Sequence, residues 1–373
     1  MKTVYLKLMI EKAIDIVVPS FRLDEQYLLK IVSLPQPPGF RIQFFIICDN
    51  PQIKIPDALQ QLAIEGRIYL IINPSNLGPA ESRNKGIRAG DAKWILLLDD
   101  DITPDDLLLQ AYAHAILVQP NAIGFAGPCF FPVPFNAATT ALDLSGSTGH
   151  FTAAAKIDSQ YWVPTANVML NRGKMDENLF DPLLRTGEDI DFLLRNSLKF
   201  DNSYLSVPQA IVRHPWWDNG AVQTKRQFLY GIGASQIAAK VPVKDYTYFD
   251  FTNTSETLLL WLLLFPLAIL LGWTRNYLLF PPALLFAEWF TNWLKTILIG
   301  KTASPGVASL LAWTKNCREA GQLFGSISKL RFDGFAKRID MGFQKPHPSP
   351  FRLNRWKIIK SLVLVAVYLM VTI

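Results

Sequence analysis

A short apolar run that ends in three consecutive carboxylates is the strongest constraint on this chain. Residues 94–98 are apolar throughout, as in a strand covered on both faces, and residues 99–101 are all aspartate. The carboxyl ends of strands are where open α/β sheets bind ligands. Adjacent carboxylates repel one another, and a cation that prefers oxygen ligands, Mg²⁺ or Mn²⁺, relieves that repulsion. The alternative is an acidic helix N-terminus, which explains the acids at 105 and 106 but not the three at the strand end.

Two further segments carry charged side chains in a suggestive position. Residues 76–87 follow an apolar run at 68–72 and contain a Gly-Pro turn and then a helix bearing Arg83 and Lys85. A helix N-terminus with nearby cations suits a phosphate-bearing ligand, although a solvated basic helix face gives the same pattern. A second acidic cluster at 187–191 reads Gly-Glu-Asp-Ile-Asp. Taken alone, it is equally consistent with a helix that begins with acidic residues.

In this order, the segments resemble the family 2 glycosyltransferases, which have the GT-A fold. The resemblance covers residues 15 to about 240 and rests on an ordered set of motifs: Ile16-Val17-Val18-Pro19-Ser20-Phe21, Asn76-x-Gly78, Arg83-Asn84-x-Gly86, Leu98-Asp99-Asp100-Asp101, Asp176-Glu177, Gly187-Glu188-Asp189-x-Asp191, Arg213-His214 and residues 225–233. It implies an inverting transfer of sugar from a nucleotide-diphosphate sugar, with Mn²⁺ or Mg²⁺ as the cofactor. The expected acceptor is a hydroxyl or lipid phosphate of a glycan or lipid-linked molecule at the cytoplasmic membrane face, in the synthesis of cell-surface polysaccharide or glycolipid by a membrane-anchored bacterial enzyme.

The resemblance also implies a role for each site residue. The donor would be bound by Pro19, Ser20, Asp49, Arg83, Asn84, Asp99 and Asp100. The metal would be held by Asp99, Asp101 and His214. Asp189 would be the general base that takes the proton from the acceptor hydroxyl, with Glu188 beside it. The acceptor would be contacted by Asn167, Trp216, Trp217 and Arg226.

Three of these assignments have plain structural alternatives. Asp49 could form an Asx turn before Pro51. His214 could be an ordinary structural histidine, as most single histidines are. Trp216 and Trp217 could be a buried pair rather than exposed rings that stack on a sugar or lipid.

One departure from the family bears on the kind of product. Processive members carry Gln-x-x-Arg-Trp, whereas residues 223–227 here end in Gln227. The ring that would stack on a growing polymer is missing, so transfer of a single sugar is favoured over a processive polysaccharide synthase. A nucleotidyltransferase would need glycines after the first strand, and residues 21–24 have none. A non-catalytic scaffold would not need Asp99, Asp101 and Asp189.

The alternation of apolar runs and helical stretches predicts an α/β fold. Strands are expected at 14–18, 42–48, 68–72 and 93–98, with helices at 24–32, 57–65 and 79–89 between them. This order is typical of a Rossmann-like, mostly parallel sheet flanked by helices. The Gly/Ser/Thr-rich residues 136–152 are expected to be a long, substrate-facing loop. The catalytic domain is expected to span residues 1–256.

The C-terminal third has a different character and predicts membrane attachment. Residues 257–300 contain two apolar stretches that are expected to form a transmembrane hairpin. The second stretch contains Glu288 and Lys295, and its alternative interpretation is a re-entrant or interfacial helix. Residues 301–357 are expected to be a basic amphipathic segment on membrane lipids, and residues 358–373 a third span or an anchor.

Charge sets the expected orientation and excludes one class of partner. The formal net charge is +6, but residues 301–360 contain twelve Lys or Arg against three acids, so the remainder is slightly acidic. A nucleic-acid-binding surface is therefore not expected. The basic segment predicts, by the positive-inside rule, an inner-membrane protein with its catalytic domain in the cytoplasm. Cys48, Cys129 and Cys317 are too few and too scattered for a disulfide framework.

Overall fold

A computed structural model describes residues 12–331 and 334–372 of the chain. The chain forms two compact units. The first unit consists of the residues up to Pro132 together with Gly149–Trp216. The second unit consists of Val133–Thr148 and the residues from Trp217 onward. The expected catalytic domain, residues 1–256, therefore spans the first unit and part of the second.

The first unit is built on an eight-stranded sheet with the order β3-β2-β1-β4-β9-β6-β10-β8. Its strands are β1 (Ala13–Ser20), β2 (Arg41–Cys48), β3 (Tyr69–Ile72), β4 (Trp94–Leu98), β6 (Gly124–Ala126), β8 (Ser159–Gln160), β9 (Asn167–Asn171) and β10 (Tyr204–Ser206). Only β8 and β9 run against the other six. The helices of this unit are α1 (Glu25–Val32), α2 (Asp57–Ile64), α3 (Pro79–Ala89), α4 (Leu108–Val118) and α6 (Glu188–Lys199). The predicted α/β class, with a mostly parallel sheet flanked by helices, is confirmed.

Burial explains why these strands form at the centre of the sheet. Every residue of β4 and β9 is buried, and β1 is buried except at Pro19. Burial of almost every residue, with mostly apolar side chains, suits strands covered on both faces. The core therefore lies on both sides of β1 and β4, and their carboxyl ends deliver Ser20 and Asp99 to the same edge of the sheet.

A small second sheet extends the first unit beyond that edge. It consists of β5 (Thr103–Pro104), β11 (Val212–Arg213) and β7 (Cys129–Phe130), in the order β5-β11-β7. The antiparallel register pairs Thr103 with Arg213 and Pro104 with Val212. Because the two strands run in opposite directions, the residues just before Thr103 and just after Arg213 meet at one end of this ladder.

The second unit is mainly helical. Its helices are α5 (Ala137–Ser145), α7 (Thr224–Ile237), α8 (Thr254–Leu270), α9 (Thr274–Leu298), α10 (Pro305–Ser328) and α11 (Arg355–Thr372). A two-stranded antiparallel ladder, β12 (Thr247–Phe249) with β13 (Lys337–Ile339), joins them.

The expectation of a long loop at residues 136–152 is wrong for its first half, which forms helix α5. Asn136 accepts a hydrogen bond from the backbone of Thr139, whose hydroxyl accepts one from the Asn136 backbone in return. This reciprocal cap satisfies N-H groups that a helix start leaves unpaired. Ala141 is fully buried in a cluster with Val307 and Leu311 of α10, so tertiary packing stabilises the helix despite its polar composition.

The predicted transmembrane hairpin and the multi-pass inner-membrane localisation are wrong. Among the described residues, no helix is both long enough and apolar enough to cross a membrane. Helix α8 has 17 residues, which at ~1.5 Å each reach ~25 Å, short of a ~30 Å hydrocarbon core. Helix α9 is longer, but its Glu288 is buried between Lys315 of α10 and Lys360 of α11, at 2.9 and 2.6 Å. These helices thus pair their charges with one another.

Part of the basic amphipathic segment that was expected to lie on membrane lipids packs instead against the protein, while Phe324, Ile327 and Leu330 are exposed. Val307, Leu311 and Cys317 of α10 are buried. Helices α7 and α10 approach so closely that a Cβ on Gly231 would overlap the Arg318 carbonyl oxygen, and one on Gly321 that of Phe228. Absence of a side chain at these two positions permits backbone-to-backbone packing.

Candidate active site

The aspartates at the end of β4 lie beside the end of β1. Strands β1 and β4 are paired in parallel, so both end at the same edge of the sheet. There the Ser20 hydroxyl donates to Asp100 Oδ2 at 2.7 Å and accepts from the Leu23 backbone at 2.9 Å. Ser20 therefore fixes the middle aspartate to the first strand. Pro19, one residue earlier, is half-buried in β1.

Arg22 is a residue of this cluster that the sequence analysis did not select. Its Nη2 donates to Asp100 Oδ1 at 3.0 Å and to Asp101 Oδ2 at 2.8 Å. Burial acts to raise the pKa of Asp101, but contacts with His214 and Arg22 outweigh it and lower that pKa to about 2. The only sequence signal for Arg22 is that it lies two positions after β1, a strand that ends at the same edge of the sheet as β4.

Asp99, Asp101 and His214 form a group whose ligand atoms all lie within 4.8 Å of one another. Asp101 and His214 meet because β5 and β11 are paired at the register that brings their ends together. His214 Nε2 is 3.0 Å from Asp101 Oδ1, and the imidazole is buried against Phe131, with ring centroids 5.1 Å apart. The structure thus brings together the three predicted metal ligands.

The orientation of the imidazole shows that this group fits a cation. His214 Nδ1 is 2.6 Å from the Pro215 carbonyl oxygen, which can only accept, so Nδ1 carries the hydrogen. A neutral ring then directs the Nε2 lone pair at the Asp101 carboxylate, which is repulsive unless a proton or metal ion lies between them. Burial acts to lower the pKa of His214, but its contact with Asp101 raises that pKa above the ordinary value.

Arg83 joins the strand-end acids to the acids of α6. From α3 its Nη2 donates to Asp99 at 3.1 Å and its Nη1 to Glu188 at 2.7 Å. The guanidinium lies 5.8 Å from the centroid of the Phe180 ring, and Arg83 is only 5% exposed. Two carboxylates are thereby held on either side of one buried cation, a strong charge-assisted arrangement.

Asp189 lies at the start of α6 with its carboxylate largely uncommitted. Gly187 precedes the helix with φ 82°, a left-handed conformation that favours glycine and turns the chain into α6. Among the described residues, only the Ile190 backbone N-H donates to the Asp189 carboxylate, at 2.8 Å. Burial, together with the charge of Glu188, raises the pKa of Asp189 to about 7. Asp191 in contrast accepts from Arg195 at 3.3 Å, on the same helix.

Two predicted donor-binding residues hold loops together instead of facing open space. Asp49 accepts hydrogen bonds from the Asn73 amide and from the backbones of Leu77 and Gly78, at 2.7 to 2.8 Å. Neither oxygen is used for an Asx turn before Pro51. The Asn84 amide donates to the Phe180 carbonyl and accepts from its N-H, at 2.8 and 3.0 Å. Both side chains therefore shape the walls around the acids.

The predicted acceptor residues are distributed over both units. Asn167 is buried, with its amide bound to Ala210, Pro128 and Tyr112. Trp216 is 4% exposed and donates to the Pro132 carbonyl. Trp217 is 7% exposed, so the buried alternative describes both tryptophans. In the second unit, the Arg226 guanidinium covers the Trp217 ring, 4.9 Å from its centroid.

Comparison with known proteins gives a family match for the segment that contains Asp99, Asp100 and Asp101. Residues 15–138 match the model of glycosyl transferase family 2, which confirms the resemblance over that segment. The chain is 24% identical over 184 residues to a pre-mycofactocin glycosyltransferase of Mycobacterium tuberculosis; the match covers 48% of this chain but 38% of that protein. It is 25% identical over 227 residues to an uncharacterized glycosyltransferase of Methanocaldococcus jannaschii, covering 58% of this chain and 76% of the other.

Solved structures give more distant likenesses. TarS 1-349 of S. aureus in complex with UDP has a TM-score of 0.46 at 12% identity and covers 91% of this chain and 100% of its own. A mannosyltransferase of Pyrobaculum calidifontis in complex with GDP-Man and Mn²⁺ has a TM-score of 0.43 at 13% identity and covers 60% of this chain and 62% of its own.

Proposed function

We propose that the chain is an inverting, metal-dependent glycosyltransferase of the GT-A type that moves one sugar from a nucleotide-diphosphate sugar to a hydroxyl of a glycan or lipid-linked acceptor. The observation that carries this proposal is the proximity of Asp99, Asp101 and His214. Arg83 links this group to Glu188, which lies next to Asp189. The family match over residues 15–138 supports the reaction class.

Asp99, Asp101 and His214 would hold Mn²⁺ or Mg²⁺, with carboxylate oxygens that both ions accept and one imidazole nitrogen. When bound, such an ion neutralises the charge of the departing nucleoside diphosphate. Ser20 and Arg22 keep the aspartates in place from the neighbouring strand. Arg83 holds Asp99 and Glu188 in fixed positions, so the acids stay close together despite their repulsion.

Asp189 would act as the general base. With a pKa of about 7, the Asp189 carboxyl group is partly ionised at neutral pH. Its ionised form is a stronger base than an ordinary carboxylate and can therefore accept the proton. As the acceptor oxygen attacks the anomeric carbon from the face opposite the leaving group, its proton passes to Asp189. One displacement inverts the configuration, and no covalent sugar intermediate is needed. Because Asp191 is paired with Arg195, Asp189 is the better placed of the two.

Single transfer is favoured over polymer synthesis. Gln227 occupies the position of the tryptophan found in processive family members, and it is buried in the second unit. A buried amide offers no aromatic face on which a growing glycan could stack.

A donor-hydrolysis screen tests the proposal directly. The full chain should release nucleoside diphosphate from one of the UDP-, GDP- or dTDP-sugars when Mn²⁺ or Mg²⁺ is present. EDTA should abolish the release, and added metal should restore it. Full activity in chelator would refute the metal-dependent mechanism, and no release from any donor would refute the proposed reaction.

A further inference from the structure

A second cluster of charged side chains lines a cavity of about 250 Å³ within the second unit. This volume is slightly below the ~300 Å³ at which pockets for drug-sized ligands begin, so it suits a small molecule. Its wall includes Lys295 of α9, Lys315 and Arg318 of α10, Arg338 of β13 and Gln227 of α7. Nothing in the proposed glycosyl transfer uses this cavity.

The acids around the cavity are already paired with cations. Glu288 is bound by Lys315 and Lys360, and Glu319 lies 3.6 Å from Lys315. The other two acids are also paired: Glu256 lies 2.8 Å from Arg338, and Asp250 lies 3.0 Å from Lys357. Four carboxylates thus face four cations through direct ion pairs.

Two cations remain in surplus. Within residues 12–331 and 334–372, neither Lys295 nor Arg318 has a carboxylate within ion-pair distance, and both are half-buried in the cavity wall. Burial and the charge of Lys315 lower the pKa of Lys295, and burial lowers that of Arg318. Holding uncompensated positive charge at such positions costs free energy that a bound anion would offset.

Gln227 gives independent evidence for a ligand. It is 1% exposed, it lines the cavity, and among the described residues neither its amide nitrogen nor its amide oxygen has a hydrogen-bond partner. Buried amides are almost always satisfied, so an unpaired one that faces a cavity indicates a missing partner. A ligand that both accepts and donates hydrogen bonds would satisfy it.

We propose that this cavity binds a phosphoryl group of a small molecule through Lys295, Arg318 and Gln227. The surplus of two positive charges matches a phosphate, which carries about −1.5 to −2 charge at neutral pH, whereas a carboxylate would leave one cation uncompensated. The planar guanidinium of Arg318 is suited to two oxygens of such a group.

The test measures the thermal midpoint of the full chain against inorganic phosphate, with sodium chloride at matched ionic strength as the reference. Phosphate should raise the midpoint in a saturable way, as binding to the native state requires, while chloride should not. The variants Lys295→Met and Arg318→Met should each weaken the phosphate affinity at least tenfold. Lys345→Met, an exposed lysine away from the cavity, should leave it unchanged.

Folding and ligand source are controlled separately. Without phosphate, Lys295→Met should keep or raise the midpoint because it removes an uncompensated charge, and Lys295→Arg should retain phosphate binding. Tighter binding of glycerol phosphate than of inorganic phosphate would identify a phosphomonoester as the ligand, and equal binding would identify free phosphate. Absence of a saturable shift, or full retention of the shift in both methionine variants, would overturn the proposal.

Discussion

The two units bury charge clusters of opposite sign. In the first, the carboxylates of Asp99, Asp100, Asp101, Glu188 and Asp189 outnumber the two arginines that pair with acids of this group, the buried Arg83 and the exposed Arg22. In the second, four carboxylates are paired and two cations are left over. In a cluster whose other charges are paired, the sign of the unpaired charges indicates that a ligand of the opposite sign would bind there. The acidic surplus fits a cation and the basic surplus fits an anion.

The largest expected effect separates catalysis from binding within the acidic cluster. Asp189→Asn keeps the shape of the side chain but removes the basic oxygen, so turnover should fall by about 10²–10⁴-fold while donor affinity stays near wild type. Asp99→Asn or Asp101→Asn should weaken donor binding as well, because those acids would hold the metal. Initial rates and titration with nucleoside diphosphate measure the two effects.

A wild-type rate in Asp189→Asn would show that the base lies elsewhere, with Glu188 and Asp191 as the next candidates. Asp191→Asn is the matched control, since it changes an acid two residues away that is bound to Arg195.

The second effect concerns stability in the basic unit. Glu288→Gln removes the carboxylate that binds both Lys315 and Lys360, so the buried Lys360 loses its carboxylate partner, while the more exposed Lys315 keeps Glu319. Breaking a buried pair in this way typically costs about 3–5 kcal/mol of unfolding free energy. Chemical denaturation should show this loss, and the added change Lys360→Met should recover part of it. A loss no larger than that of an exposed pair, such as Lys54 with Asp57, would mean that the network contributes little.

A smaller loss is expected where α7 and α10 touch. Gly321→Ala places a methyl group on the Phe228 carbonyl, and overpacking of this kind costs about 1–3 kcal/mol. Gly306→Ala, near the start of α10, is the matched control, since the nearest atom to its new Cβ is Ser304 Oγ at 3.7 Å. Equal unfolding free energies for the two variants would contradict the close helix contact.

A further effect is a pH dependence of stability in the acidic unit. The folded pKa of Asp189, about 7, lies above its ordinary 3.8, so the folded state holds a proton that the unfolded state has lost between these values. The free energy of unfolding should therefore fall as pH rises from 4 to 8, and Asp189→Asn should reduce that fall. The measurement needs EDTA, because a bound cation changes the charge balance. An identical pH slope in the variant would contradict the raised pKa.

The sequence predicted the sheet well because local pattern and burial agree there. The buried residues of β2 and β4 are all apolar and those of β1 are mostly so, and each strand ends at or next to a polar residue at the same edge of the sheet. The proximity of Asp99, Asp101 and His214 was predicted only from the order of the family motifs along the chain. No local sequence pattern specifies contacts between residues so far apart.

The errors lie where tertiary contacts outweigh local composition. Helix α5 was mistaken for a loop because its composition is polar and the burial of Ala141 against α10 is a long-range contact that the local sequence does not show. The apolar stretches of α8 and α9 resemble membrane spans in sequence. Only the fold shows that Glu288 is neutralised by Lys360, a residue on another helix. Arg22 was missed because its two acceptors follow a different strand, β4, about 80 positions further along the chain.

The β5-β11 ladder, only two residue pairs long, has a consequence for the order of folding events. Arg83 and Glu188 are 105 positions apart in the chain, and Asp101 and His214 are separated by a comparable length. Closing such long loops costs entropy that must be offset before the contacts form, so these pairings are expected to come late. A slip of one residue in this ladder would turn His214 to the opposite face. If these residues hold a metal ion as proposed, binding of that ion would report that the first unit has completed folding in the correct register.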